Sequence, residues 1–252
     1  MRLLVSLMLV GAIYAQKLPD LYKQEMHGDA PYLSQPGWRP LLNGIDLTGW
    51  VGEHGAKHEW VAAKSVNWKR IFNPKGLDYS AAPGDRMTNG KLGKTIDIET
   101  VEKFGDFELY LEYVLPRGSN SGVFLHALYE IQLFDSYGHA GLLQVGDNGG
   151  IYAYPDGLGG APPLLNASRP AGDWQSLQVW FRAPRFDAAG KKTGNARILR
   201  VLLNDTLVQR EYELAGPTGS SGWGPEAATN PIRLQGDHGP VAFRNMYVRE
   251  LK

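Results

Sequence analysis

The sequence predicts an all-β fold, a β-sandwich of antiparallel strands, on three observations. Glycine and proline are frequent, with 31 and 16 residues, which implies many short connections. Aromatic residues are frequent too, with 7 Trp, 12 Tyr and 8 Phe, and they favour β-structure. In Asp106–Leu115, the residues Phe107, Leu109, Leu111 and Tyr113 alternate with polar or smaller ones. Such a period of two is typical of a half-buried antiparallel strand.

Short strands separated by turn clusters follow one another from Trp38 onwards, and convincing helix patterns are scarce. The further predicted strands are Ser121–Leu125, Tyr129–Phe134, Gly150–Tyr154, Ser176–Phe181, Ile198–Leu203, Leu207–Glu213, Ile232–Gln235 and Val241–Leu251. Asn204-Asp205 lies between two apolar runs and predicts a tight hairpin, because Asn and Asp tolerate left-handed backbone. Residues 53–95 are rich in turn residues and predict a long loop that carries short strands. Since no repeat or second composition regime is present, one domain is predicted over residues 38–252.

The N-terminus has the pattern of a signal peptide. Arg2 supplies a positive charge, Leu3–Ile13 an apolar run, and Ala15 a small residue before the cleavage point. The run is too short to span a bilayer, so no membrane span is expected. We predict a signal peptide over residues 1–15, an N-terminal arm over 16–37, and a secreted or periplasmic bacterial protein; a buried N-terminal helix or strand is the alternative. No cysteine follows the run, which excludes a lipid anchor there.

Composition also argues against several classes of protein. The 26 basic and 26 acidic residues balance, and no basic block is present, so nucleic acid is not an expected partner. The chain has no Gly-rich phosphate loop, no nucleophile elbow and no zinc-binding Cys or His pattern. A familiar two-carboxylate glycosidase site is not evident either.

Gly118–Asp135 is the densest candidate for a functional segment. If Tyr129–Phe134 is a strand, Glu130 and Gln132 project from the same face, and His126 lies close by in the preceding strand end or turn. A carboxylate, an amide and an imidazole that converge on one sheet face can catalyse a reaction or bind a sugar. A solvated sheet face that commonly carries Glu and Gln is the alternative.

A second candidate segment is Ile232–Asn245. Arg233, Gln235 and Asp237 alternate with apolar residues, and His238 follows on a Gly-flanked turn. A lone turn histidine is more often structural than catalytic, but its polar neighbours make His238 a candidate. Tryptophans spread among loops and strand ends suit the flat C–H faces of sugar rings.

These segments resemble the 3-keto-disaccharide hydrolase domain family. The resemblance is carried, in order, by LLNGIDLTGW, FGDFELYLEY, NSGVFLHALYEIQLFD, Gly150-Ile151-Tyr152, Gly172-Asp173-Trp174 and LQGDHGPVAFRNMYV. It runs from about Trp38 to Lys252. The chain departs from the family pattern at Leu125-His126, where an Arg is frequent, and at Gln175, where an Asn is frequent.

The resemblance implies a concanavalin A-like jelly roll of two antiparallel sheets, acting on glycosides whose sugar ring carries a ketone. Its motifs match Tyr129, Glu130, Gln132 and Asp135, and its terminal histidine matches His238. The catalytic candidates are Glu130, His238 and His126. The expected substrate-binding residues are Asn120, Gln132, Tyr152, Trp174, Arg233 and Gln235.

A ring ketone would allow cleavage by elimination followed by hydration, which needs one base and an electrophile for the enolate oxygen. Glu130 is the candidate base, or else a ligand to a bound cation; either histidine is a candidate acid or enolate stabiliser. A divalent metal ion is a possible cofactor, with its ligands unknown. An oxidised di- or oligosaccharide or glycoside is the expected partner.

Two alternatives stay open at the level of sequence. The same fold and aromatic rim would serve a carbohydrate-binding module without catalysis. A conventional glycosidase would use Glu130 and Asp135 as its carboxylate pair. On a continuous strand these two residues face opposite ways, which disfavours the glycosidase unless a bulge intervenes.

Overall fold

The structure is a computed structural model that describes residues 30–81, 83–219 and 224–251. Within these ranges a four-residue helix, α1 (Pro31–Ser34), and a 3-10 turn, Glu53–Gly55, are the helical elements. The strands are β1 (Arg39–Pro40), β2 (Trp50–Gly52), β3 (Val61–Lys69), β4 (Asn73–Ala81), β5 (Arg86–Thr88), β6 (Ile98–Thr100), β7 (Phe107–Val114), β8 (Asn120–Leu125), β9 (Tyr129–Phe134), β10 (Gln175–Arg182), β11 (Arg185–Phe186), β12 (Lys192–Gly194), β13 (Ala196–Leu203), β14 (Thr206–Leu214), β15 (Arg233–Leu234) and β16 (Ala242–Glu250).

Two antiparallel sheets form the jelly-roll β-sandwich that the sequence predicts. The larger sheet has nine strands in the order β14-β13-β10-β7-β16-β5-β3-β4, with β1 paired to β16. The smaller sheet has five strands in the order β2-β6-β15-β8-β9. β11 and β12 form a separate ribbon. The small sheet thus brings together β6, β8, β9 and β15, which lie far apart in the sequence.

The core lies between the two sheets because both turn one alternating apolar face inwards. Phe107, Leu109, Leu111 and Tyr113 of β7 are fully buried there. The facing side chains of the small sheet come from Ile98, Val123, Tyr129, Ile131, Leu133 and Leu234. Each large apolar side chain buried in this way contributes about 1.5–3 kcal/mol relative to exposure. The alternation read from the β7 sequence is therefore confirmed, but the strand is not half-buried, because Glu108 and Tyr110 on its other face are buried too.

Most predicted strands are confirmed with small shifts of their ends, and two predictions are wrong. Gly150–Tyr154 forms only isolated bridges at Ile151, one to Ile131 of β9 and one to Ala161. The segment 53–95 is not mainly a loop, because β3 and β4 pair as a hairpin of two nine-residue strands. Their weakly alternating burial reflects a hairpin at the edge of the large sheet, where neither face is fully covered.

The described part of the arm lies on the outer face of the large sheet. The Tyr32 ring of α1 stacks on Tyr247 at 3.9 Å and lies 5.3 Å from Tyr110. Beneath this layer Glu108 is fully buried and pairs with Arg249. The predicted signal peptide and residues 16–29 lie outside the described residues. In the described ranges, no helix is long and apolar enough to cross a membrane.

The predicted hairpin at Asn204-Asp205 is confirmed. Leu203 pairs with Thr206, which leaves a two-residue loop, and both loop residues have positive φ, 51° and 61°. This is the backbone that a type I′ turn requires.

Asp205→Gly should stabilise the protein by about 0.5–1 kcal/mol, because glycine adopts this backbone without a Cβ penalty. Asp205→Val should destabilise it by about 1–2 kcal/mol. Urea unfolding measures both changes. Asp173→Gly, at an exposed turn residue with negative φ, is the control and should destabilise slightly. A loss of stability in Asp205→Gly would contradict the turn assignment.

Candidate functional site

The face of the small sheet that points away from the core, here called the site face, carries the polar residues. In β8 and β9 the core takes Val123 and Ile131, so alternation turns Phe124, Glu130 and Gln132 to the site face. The prediction that Glu130 and Gln132 share a face is confirmed. Both are buried, with 4% and 3% exposure, so this is not a solvated sheet face.

Strand register sets these residues in two rows across the sheet. The first row runs Glu99, Arg233, Phe124, Glu130, one residue from each of β6, β15, β8 and β9. The second row contains Gly122, opposite Gln132, with the Gln235 amide donating to the Gly122 carbonyl at 3.0 Å. Residues opposite one another on neighbouring strands have side chains about 5 Å apart, so each row is a set of contacting groups.

Tyr152 extends the first row beyond β9. Its backbone amide donates to the Glu130 carbonyl at 3.1 Å, next to the Ile131–Ile151 bridge. Opposite residues of an antiparallel pair face the same side, so the Tyr152 ring lies on the site face beside Glu130. Its exposed fraction is 36%. Tyr152 therefore provides an accessible aromatic surface next to a buried carboxyl group.

Glycine makes room for the Glu130 carboxyl group. A Cβ atom at Gly122 would lie 2.4 Å from Glu130 Oε1, so the carboxyl group lies directly over Gly122. The Glu130 backbone amide donates to Thr218 Oγ1 at 2.7 Å, which fixes the strand edge. No group in the described ranges donates a hydrogen bond to the carboxyl oxygens.

Burial raises the pKa of Glu130, the charges of Asp97 and Asp237 act in the same direction, and together they bring it to about 8. Asp97, which precedes β6, is also buried, and its pKa rises to about 6, mainly through desolvation. At neutral pH Glu130 therefore carries its proton in most molecules. A group with a pKa near the working pH is suited to proton transfer.

Three side-chain amides share the site face with the carboxyl group. Gln132 Oε1, Gln235 Oε1 and Asn120 Oδ1 are enclosed and accept no hydrogen bond from described residues. In the described part of the chain, the amide nitrogens of these side chains either have a hydrogen-bond partner or are open to solvent. Because buried polar groups normally have partners, the amides are poised for a ligand that supplies hydroxyl groups.

Arg233 is on the site face but its charge is already matched. Its guanidinium binds Glu99 at 2.8 and 2.6 Å and Glu53 at 3.1 Å, and its side chain is 3% exposed. It is therefore a buried ion-pair centre beside the site.

His238 lies at the edge of the site face, next to Asp237, whose charge acts on Glu130. Its ring nitrogen Nδ1 contacts the Asp237 carboxylate, and its side chain is 53% exposed. Asn89 holds this turn, since its side-chain amide donates to the carbonyls of Gly236 and Gly239 at 2.9 and 2.8 Å. His238 is thus a solvent-exposed imidazole on an anchored turn.

The structure does not bring His126 or Trp174 to the site face. His126 adopts φ 55° in the β8–β9 turn, and its ring lies between the sheets, 4.8 Å from the Phe181 ring. Burial lowers the pKa of His126 to about 4, so the ring is neutral. Trp174 packs beside Leu77 on the outer face of the large sheet, under Arg244. Neither can contact a substrate bound over Glu130.

Sequence reasoning missed the site-face residues outside the two candidate segments: Glu53, Asn89, Asp97, Glu99, Gly122, Phe124 and Thr218. Asp97 and Glu99 do alternate around Ile98, which was the available signal, but β6 has only three residues. β6 pairs with β15, more than a hundred positions further along the chain. Alternation within one segment does not reveal which distant strand it pairs with.

Glu130 should make the free energy of unfolding depend on pH. Its folded pKa lies above the unfolded value of 4.5, so its contribution is fully present below pH 4.5 and is lost as pH rises through about 8. The slope is at most about 1.4 kcal/mol per pH unit. In urea unfolding, the free energy of unfolding of Glu130→Gln should therefore rise relative to that of the wild type between pH 6 and 9. The exposed Glu213→Gln should not; identical pH dependence of Glu130→Gln and wild type would contradict the burial argument.

Comparisons with known proteins agree with this architecture. One solved structure, a provisionally named glycosyl hydrolase of Parabacteroides distasonis ATCC 8503, is 27% identical with a TM-score of 0.58, over 86% of this chain and 84% of that chain. A second provisionally named glycosyl hydrolase of the same organism is 18% identical with a TM-score of 0.52, over 86% and 94%, and supports the fold alone. The comparison with curated proteins found no match.

A family model described as a 3-keto-alpha-glucoside-1,2-lyase-like domain matches residues 37–249, nearly all of the described chain. This span includes both sheets and every residue of the site face. The family suspected from the sequence motifs is confirmed, and the chain belongs to the 3-keto-alpha-glucoside-1,2-lyase-like domain family.

Proposed function

We propose that this protein is an exported enzyme that cleaves the glycosidic bond of 3-keto-glycosides, by elimination followed by hydration. The observation that carries the proposal is the buried carboxyl group of Glu130, to which no described residue donates a hydrogen bond, on one face with an accessible tyrosine and three amides. The family description and the glycosyl hydrolase names of the similar structures support action on carbohydrate. Export rests on the N-terminal sequence alone and stays a prediction.

Glu130 is the general base. In its ionised form the carboxylate removes the proton from the carbon next to the ring ketone, and the electron pair of that C–H bond forms the enolate. As the enolate collapses, the aglycone C–O bond on the neighbouring carbon breaks and a carbon–carbon double bond forms. Because Glu130 has lost its hydration, it is a stronger base than an exposed carboxylate.

Proton balance requires an acid for the departing aglycone. The alkoxide takes either the proton that Glu130 has gained or one from His238, which the Asp237 carboxylate orients. Water then adds across the double bond, which restores the C–H bond and places a hydroxyl group where the aglycone was. The net reaction is a hydrolysis that needs no second catalytic carboxylate.

The enolate oxygen needs hydrogen-bond donors, and the side-chain amides of Gln132, Gln235 and Asn120 on the site face carry N–H groups that can supply them. A divalent cation fits the described residues poorly. Within 30–81, 83–219 and 224–251, no three His, Asp or Glu side chains are grouped so that they could hold a metal ion. We derive no step through a cation, and metal dependence stays a prediction.

A non-catalytic carbohydrate-binding module is the alternative. Tyr152 and the amides would serve it equally well, but sugar binding does not require a desolvated carboxyl group, which is costly to keep. A conventional carboxylate pair gains no support, because the Asp135 carboxylate accepts the Gly118 amide at 2.8 Å in the turn before β8.

Glu130→Gln should lower the turnover of a 3-keto-disaccharide by about 10²–10⁴-fold, the usual contribution of a general base. In the wild type, kcat/KM should rise with pH as Glu130 loses its proton, with an apparent pKa near 8. Release of reducing sugar measures both, with and without EDTA and added divalent cation. Glu213→Gln, an exposed carboxylate on β14, is the matched control.

Unchanged turnover in Glu130→Gln would remove this residue from the mechanism. Binding of the disaccharide without turnover of its 3-keto form would favour the binding module. Cleavage of the unoxidised disaccharide at the same rate would favour a conventional glycosidase.

A further inference from the structure

We infer that the site accepts neutral or amine-bearing glycosides and discriminates against those that carry a carboxylate, sulfate or phosphate group. The inference rests on the proposed function for the location of the substrate. It goes beyond that function because it names the charge class of the substrate, which the ketone chemistry leaves open.

The first support is the sign of the charges on the site face. The charged groups that act on Glu130 are Asp97 and Asp237, both acidic. Those that act on Asp97 are Glu53, Asp237 and a single cation, Arg233. An anion that enters above Glu130 therefore meets a negative field, while a cation is attracted.

The second support is the state of Arg233. An arginine beside a sugar site is the usual partner of a substrate carboxylate or phosphate. Here two carboxylates already hold it, with Glu99 contacting Nε and one terminal nitrogen and Glu53 contacting the other. An acidic substrate would have to compete with both glutamates, at contacts of 2.6–3.1 Å.

The third support is an enclosed acceptor. Gln132 is 3% exposed, lies on the site face opposite Gly122, and its Oε1 accepts no hydrogen bond from described residues. An enclosed oxygen acceptor is satisfied by a hydroxyl or ammonium donor of the ligand. The Gln132 oxygen thus favours a ligand that brings a donor, whereas the N–H groups of the same amide are the donors that the enolate oxygen of the proposed reaction needs.

The test uses binding, which does not depend on turnover. Trehalose, 6-amino-6-deoxytrehalose and trehalose oxidised at one C6 to a carboxylate are titrated into the full chain by calorimetry at low salt. The carboxylate should bind at least about tenfold more weakly than trehalose, because the acidic side chains of the site face repel it. The amine should bind at least as tightly as trehalose, because the same side chains attract it. Equal affinity for the carboxylate and trehalose would overturn the inference.

Glu53→Gln tests the part played by Arg233. Removing one carboxylate beside the guanidinium should narrow the difference in affinity between trehalose and its carboxylate by about threefold or more. Glu213→Gln makes the same change of charge at an exposed residue of the edge strand β14 that is ion-paired with Arg197, and it should leave that difference in affinity unchanged. An equal effect of the two variants would contradict the role of the ion-paired Arg233.

Turnover of the three 3-keto forms separates this inference from the proposed function. Cleavage of neutral and acidic 3-keto forms with equal kcat/KM contradicts the charge inference alone. If none of the three forms is cleaved, but the carboxylate still binds more weakly than trehalose and the amine at least as tightly, only the proposed function is contradicted.

Discussion

Burial of one carboxyl group, to which no residue in the described ranges donates a hydrogen bond, is the constraint on which the site depends. An ionised carboxylate in such a position is costly, so Glu130 keeps its proton to an unusually high pH. The fold supports this state in specific ways. Gly122 leaves space for the carboxyl group, Thr218 fixes the backbone beside it, and Asp97 adds a second acidic group nearby. A residue held in this way suits the role of general base proposed for it.

The sandwich produces the site as a consequence of its core. Once Val123, Ile131 and Leu234 are buried between the sheets, alternation places their neighbours on the opposite side of β8, β9 and β15. Antiparallel register then aligns those neighbours in rows, so residues from four separate segments come into contact. The chemistry therefore follows from the same pattern that stabilises the fold.

Much of the fold could be predicted because strict alternation marks strands with one fully buried face, as in β7 and β9. The hairpin at Asn204-Asp205 could be predicted because its backbone requires particular residues. The β3–β4 hairpin could not, since an edge hairpin with two half-covered faces has little alternation. Ile151 looked like part of a strand, but it contributes only bridges, one of them alongside β9.

Prediction of the site succeeded where residues share a strand and was incomplete where they meet across strands. Glu130 and Gln132 follow from period two alone. His126 is four positions from Glu130, yet the turn carries its ring to the other side of the sheet. Asp97 and Glu53 reach the site through pairing of β6 with β15 and β2, which local sequence does not encode.

The central claim is that Glu130 takes a proton from the carbon next to the ring ketone. The most direct measurement is the isotope effect on cleavage of a 3-keto-disaccharide deuterated at that carbon, for the wild type above pH 8. If Glu130 takes this proton, the deuterated substrate is cleaved more slowly, and in heavy water the product carries deuterium at that carbon. Equal rates for both substrates and no deuterium at that carbon would show that no C–H bond is broken, and would contradict proton removal by Glu130.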